Sequence, residues 1–90
     1  MIKIVTVCGA GVGSSMMLRV YAQQVLSEEG IQATVEASDI SSVSADEYDI
    51  VITTSDFADI LRNSKAKVVR IDNMMDKELL RTELMKVMNE

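Results

Sequence analysis

Apolar residues fall in short dense runs separated by polar stretches, and the runs change period along the chain. Lys3 to Val7 is almost wholly apolar, the pattern of a central parallel strand covered on both faces. From about Ser14 to Glu29 the apolar residues Met17, Leu18, Tyr21, Ala22 and Val25 recur at helical spacing, and Gly30 suits the position just past a helix end. Ile31 to Ala37 alternates apolar and polar, which predicts an edge strand with one wet face. Ser38 to Glu47 is polar, with Asp39 able to cap a short helix or turn. Ile50-Val51-Ile52-Thr53 is a second dense run and predicts another central strand. Thr54-Ser55-Asp56 offers an N-cap to a short helix through Phe57, Ile60 and Leu61 that ends at Asn63-Ser64. Val68 to Ile71 predicts a fourth strand, and Asp76 caps a last helix with Leu79, Leu80, Leu84, Val87 and Met88 on one stripe.

Strands that alternate with helical patterns imply an α/β fold with a parallel sheet. The expectation is a single domain, a three-layer sandwich with a four-stranded parallel sheet. Right-handed crossovers, apolar strands one and three inside and the alternating strand two at an edge give the order 2-1-3-4. Open sheets of this kind bind ligands beyond the carboxyl ends of the strands, where the order reverses. Here that point lies beside the end of strand one, at Cys8, with Ser38-Asp39, Thr53-Thr54-Ser55 and Asp72-Asn73 around it. The latter residue types suit caps and turns as well as ligand contact.

Composition narrows the chemistry. The chain has 90 residues, of which 48% are apolar and 26% charged, the balance of an ordinary globular domain. Its aromatics are Tyr21, Tyr48 and Phe57, so Val, Ile, Leu and Met must fill the core, and Met74-Met75 suits either core or a contact surface. A net charge of −5 argues against nucleic acid, which needs basic stripes. Any phosphate must then be held by main-chain amides rather than by a Lys/Arg cluster. No apolar run reaches the ~20 residues of a membrane span and no signal-peptide core is present, so a cytoplasmic chain without membrane insertion is expected. A lone cysteine agrees with a reducing compartment. With no histidine, the usual general base is absent, and neither a metal nor a cofactor is expected.

The candidate chemistry lies in Cys8-Gly9-Ala10-Gly11-Val12-Gly13-Ser14-Ser15. A strand that stops at a cysteine, crosses a glycine-rich loop and enters a helix brings a thiol to a ring of main-chain N–H groups. Glycines let the backbone approach a ligand closely, helix N-terminal amides suit a phosphate dianion, and Ser14 and Ser15 can cap the helix or donate hydroxyls. The same field favours the Cys8 thiolate. The competing reading is a buried structural cysteine beside a plain turn.

This loop, directly after the first strand, resembles the phosphocysteine loop of enzyme IIB components of the bacterial sugar phosphotransferase system (PTS), closest to the ascorbate type and then the galactitol type. The resemblance implies a Rossmann-like, low-molecular-weight-phosphatase-like domain over residues 1–90. It implies Cys8 as the phosphoryl acceptor, with Gly9, Ala10, Gly11, Val12, Gly13, Ser14 and Ser15 as the phosphate cradle. The implied donor is a phosphohistidine of a IIA component, and the implied acceptor is a sugar, ascorbate favoured, held by the membrane IIC component. Other chemistries fit less well. A Walker A loop needs Gly-Lys-Ser/Thr, and no lysine follows Gly13. A dinucleotide fingerprint is one residue out of register, with Glu36 or Asp39 as the distant acid. A low-molecular-weight tyrosine phosphatase has an arginine where this chain has Ser14, so the guanidinium clamp on the transition state is missing. A phosphate- or nucleotide-binding regulatory module, with Cys8 a bystander, stays open.

Overall fold

A computed structural model describes residues 2–8, 12–72 and 76–89, with the side chains of 8 and 12–15 outside the description. The loop glycines Gly9 and Gly11 with Ala10, and Asn73, Met74 and Met75, thus lie outside the described residues. The elements are β1 (Ile2–Cys8), α1 (Val12–Glu28), β2 (Ala33–Asp39), a single 3-10 turn (Ala45–Glu47), β3 (Ile50–Thr53), α2 (Ser55–Leu61), β4 (Lys67–Arg70) and α3 (Lys77–Met88). All strand pairings are parallel and the order is β2-β1-β3-β4, as the pattern predicts.

Alternation along the two inner strands divides the core into two layers. Ile4, Ile50 and Ile52 pack with Leu18, Ala22, Val25 and Leu26 of α1 and Leu80 and Leu84 of α3. Their neighbours Val5, Val7 and Val51 face the other way, onto Leu61 of α2 and onto Ala45 and Ala66. Every residue of β3 is buried, which explains why that run reads as continuous rather than alternating. Helices thus cover both faces, and the sheet is the middle of three layers.

Where element boundaries differ from the sequence expectation, a local cause is visible. The α1 helix closes with Ile31 N–H donating to Leu26 C=O at 2.9 Å and Gly30 N–H to Ser27 C=O at 3.2 Å, a Schellman closure with Gly30 at φ 70°. That closure uses Ile31, so β2 starts at Ala33 and runs on to Asp39. At the other end α1 is helical from Val12, so Ser14 and Ser15 stand inside its first turns rather than at its cap. Asp76 caps α3 as expected, accepting from Leu79 N–H at 3.0 Å. Thr54 is the N-cap residue of α2 but makes no side-chain cap bond. Instead Asp72, beyond β4, accepts from Ser55 N–H at 3.0 Å. Met17, placed by the periodicity in the α1 core stripe, is 40% exposed.

Candidate active site

Cys8 is the last residue of β1, and its Cα is in register with Asp39, the last residue of β2. Pairing with β3 stops earlier, at Thr6 and Ile52. The sheet therefore opens on one side of Cys8 where the strand order reverses, and this opening is where α1 begins. Three residues separate Cys8 from the first helical residue, Val12. The first N–H groups of a helix have no intrahelical acceptor and carry partial positive charge. In α1 no acidic residue lies in the first turn to compete for them. The helix that begins at Val12 thus starts shortly after the strand end that carries Cys8, with no carboxylate in its first turn.

The polar residues around this opening are mostly committed to the fold. Thr53 is fully buried, and its hydroxyl donates to Val7 C=O at 3.0 Å. It thereby satisfies a carbonyl just beyond the last β1–β3 register pair. Asp39 accepts from the Ser41 hydroxyl at 2.7 Å and from Ser42 N–H at 2.9 Å, a turn closed by an aspartate side chain. Hydrogen bonds from Ser41 and then Ser42 hold its carboxyl below the ordinary aspartate range. Asp72 is likewise held low, first by hydrogen bonding from Ser55 and then by the charge of Arg70, whose Nε lies 3.6 Å away. Ser38 reaches only the Asp39 carbonyl, at 3.5 Å. Of the residues expected around the site, Asp39, Thr53 and Asp72 shape the loops, and Thr54 is the N-cap residue of α2.

Sequence reasoning missed Asp72 as the carboxylate that secures α2, because a cap 17 residues away leaves no local spacing to read. It also missed an apolar surface beside the opening. Met16, Met17 and Val20 are 40 to 43% exposed. With Tyr21 they line a shallow hollow of about 340 Å³ on the outer face of α1. Among the described residues no group of three His, Cys, Asp or Glu side chains is placed to hold a metal ion, and no helix is long and apolar enough to cross a membrane.

Fold and opening together define a parallel α/β domain with a cysteine at the strand end where the order reverses. Comparison with known sequences narrows this class. Residues 3–84 match the family described as "PTS system, Lactose/Cellobiose specific IIB subunit". The chain belongs to this family of phosphotransferase components. A protein of Mycoplasma pneumoniae (strain ATCC 29342 / M129 / Subtype 1) named "Ascorbate-specific PTS system EIIB component" is 33% identical over 93 residues, covering 97% of this chain and 95% of that one. Among solved structures, the lactose-specific IIB domain from Streptococcus pneumoniae superposes with TM-score 0.72 at 15% identity, covering 98% of this chain and 95% of the other. A low molecular weight protein tyrosine phosphatase from Bacillus subtilis gives TM-score 0.63 at 14% identity, with 97% of each chain covered. At these identities the two structures share the fold, and the phosphatase likeness extends no further.

Proposed function

We propose that this chain is a phosphoryl carrier in which Cys8 is the phosphorylated residue and the backbone from Gly9 to Ser15 is the cradle. The observation that carries the reading is the placement of Cys8 at the end of β1, with three residues between it and an α1 N-terminus free of carboxylates. The Cys8 thiolate attacks phosphorus in line. An Sγ–P bond forms as the N–P bond to a phosphohistidine of a IIA component breaks, and the imidazole nitrogen keeps the electron pair. Main-chain amides receive the equatorial oxygens, the electrostatic task that dominates phosphoryl transfer. In the second step a sugar hydroxyl on the membrane IIC component attacks phosphorus. The S–P bond breaks, Cys8 returns to thiolate, and the hydroxyl proton passes to a base of the membrane partner. The sugar is ascorbate, by analogy with the ascorbate-specific relative. The chain works at the cytoplasmic face, with no resident metal or cofactor.

The absence of histidine suits this role, because a carrier must not activate water against its own phosphocysteine. Ser14 in the place of the phosphatase arginine suits it too. Intact-mass measurement after incubation with a complete phosphotransferase mixture tests the reading. The expected result is one added phosphoryl group, absent in Cys8→Ser, with slow turnover of aryl phosphates by the same protein. No covalent phosphate, or phosphate that persists in Cys8→Ser, overturns it.

A further inference from the structure

The core is apolar almost throughout, and its exceptions lie close together. Among the described residues the buried polar side chains are Thr6 and Thr53, each 0% exposed. A buried hydroxyl costs free energy unless it is hydrogen-bonded, and Val has nearly the same shape without that cost. Both hydroxyls reach main-chain carbonyls of β1 and β2, the pair of strands that runs on to Cys8 and Asp39. Thr53 donates to Val7 C=O at 3.0 Å, and Thr6 to Glu36 C=O at 3.4 Å.

The Thr53 bond bears directly on Cys8. Pairing of β1 with β3 ends at Thr6 and Ile52, so on that side no register pair holds the last two residues of β1. The Val7 carbonyl and the Cys8 N–H belong to one planar peptide unit. A hydrogen bond to that carbonyl therefore fixes the plane from which the chain enters Cys8. Thr53 is a stiff support for it, because a β-branched side chain is restricted about χ1. Its own backbone is anchored as well: it stands in register with Arg70 of β4, and its carbonyl accepts from Ile71 N–H at 2.7 Å. The hydroxyl is thus the last link in a run of contacts from β4 through β3 to the Val7–Cys8 peptide. The next residue, Thr54, already serves as the N-cap of α2.

We propose that Thr53 is a positioning residue for phosphoryl transfer, its buried hydroxyl holding the Val7–Cys8 peptide so that Cys8 is aimed for in-line attack on phosphorus. The proposal rests on the carrier reading above and adds to it the group that orients the nucleophile. Misplacing a reacting atom by about 1 Å costs on the order of 10²-fold in rate. A hydroxyl that binds no ligand can therefore act on the reaction through the strand end alone.

The test uses the full chain and the phosphorylated IIA component of the same organism. Single-turnover transfer gives a rate constant at saturating donor and a half-saturating donor concentration. Thr53→Val should lower the rate constant about tenfold or more and leave the half-saturating concentration near its wild-type value, as for an interaction that acts only in the transition state. Thr53→Ser keeps the hydroxyl and should recover most of the rate. Thr53→Ala differs from it by the hydroxyl alone and should not, and this pair decides the matter if Thr53→Val does not fold. Val69→Ala, which truncates a 2% exposed side chain in β4, controls for lost stability, with urea unfolding of each variant. Iodoacetamide alkylation of Cys8 controls for access and ionisation of the thiol. Several outcomes overturn the positioning role: a wild-type rate constant in Thr53→Val, equal rates in Thr53→Ser and Thr53→Ala, or a rate loss reproduced by Val69→Ala. A loss matched by an equal loss of alkylation, or one confined to the half-saturating concentration, overturns it as well. No phosphate reaching Cys8 in the wild-type chain sinks the carrier reading and this role with it, whereas normal loading of the wild type and of Thr53→Val alike removes the role of Thr53 alone.

Discussion

Asp39 stands in register with Cys8, so a carboxylate is built into the neighbourhood of a thiol that must ionise. Its oxygen is occupied by Ser41 and Ser42, and donors that stabilise the carboxylate also disperse its charge away from the strand end. The α1 amides act in the opposite sense, and the remaining carboxylates of this net −5 chain are largely screened. The balance favours the thiolate. The alkylation rate of Cys8 against pH should therefore give a midpoint below the free-cysteine value of about 8.5, and added phosphate or sulfate should slow the reaction by occupying the cradle. A midpoint at or above that value, with no protection by anions, would mean that Cys8 is structural and that the carrier mechanism has no electrostatic basis. Thr53 gives a second test at this scale. Thr53→Val keeps the shape but leaves the buried Val7 carbonyl without its hydroxyl donor, at a cost of about 1–3 kcal/mol in urea unfolding. A variant as stable as the parent would show that another donor serves that carbonyl.

At the level of elements, Gly30 isolates one backbone term. It is the only described residue with positive φ, and a Cβ built on it would meet nothing within 4 Å. Gly30→Ala should thus lose about 1 kcal/mol from the left-handed conformation alone, with no clash to relieve. Urea midpoints at constant slope would measure it. This helix end was legible in the sequence because a single glycine after a periodic run determines it. The two central strands were legible for a related reason, as Ile4 to Val7 and Ile50 to Thr53 leave no polar position for solvent. The outer face of α1 was not. Met17 and Tyr21 directly precede Leu18 and Ala22 of the buried stripe and lie one residue step round the helix from them, so hydrophobic spacing could not separate a core residue such as Leu18 from a surface one such as Met17. Nor could local spacing reveal that Asp72 secures α2, because that contact exists only after β3 and β4 have paired. The chemistry assigned to the Cys8 loop is read from its residue types alone, since residues 9–11 lie outside the described ones. The surface beside it required the fold.

Across the whole molecule, charged contacts join elements far apart in sequence, and they set how stability depends on pH. Glu28 sits at the C-terminal end of α1, where a negative charge opposes the helix dipole. Its carboxylate bonds Arg81, and lies 3.0 Å from Lys77 Nζ, both on α3. Arg81 also reaches Glu29 at 2.7 Å. The Arg81 and Lys77 contacts lower the Glu28 pKa, as the serine contacts lower those of Asp39 and Asp72. A carboxylate whose pKa is lower in the folded state binds fewer protons there than in the unfolded chain. Its contribution is complete above the unfolded values of about 4 and is lost as pH falls through the folded values. Tyr48 works in the other direction: its hydroxyl donates to Glu36 at 2.9 Å, and that bond raises its pKa. Its contribution is complete below the unfolded value of about 10 and is lost as pH rises through the folded one. Urea midpoints should therefore form a plateau through neutral pH, with an acid limb below about pH 4 and an alkaline limb above about pH 10. None of these side chains is buried, so the limbs should be shallow, and high salt should flatten the Glu28 part most. Glu28→Gln/Asp39→Asn/Asp72→Asn should weaken the acid limb and leave the alkaline one, and Tyr48→Phe should do the reverse. An acid limb unchanged in the triple variant would place the acid sensitivity in carboxylates other than the ones that join α1 to α3 and order the loops around Cys8.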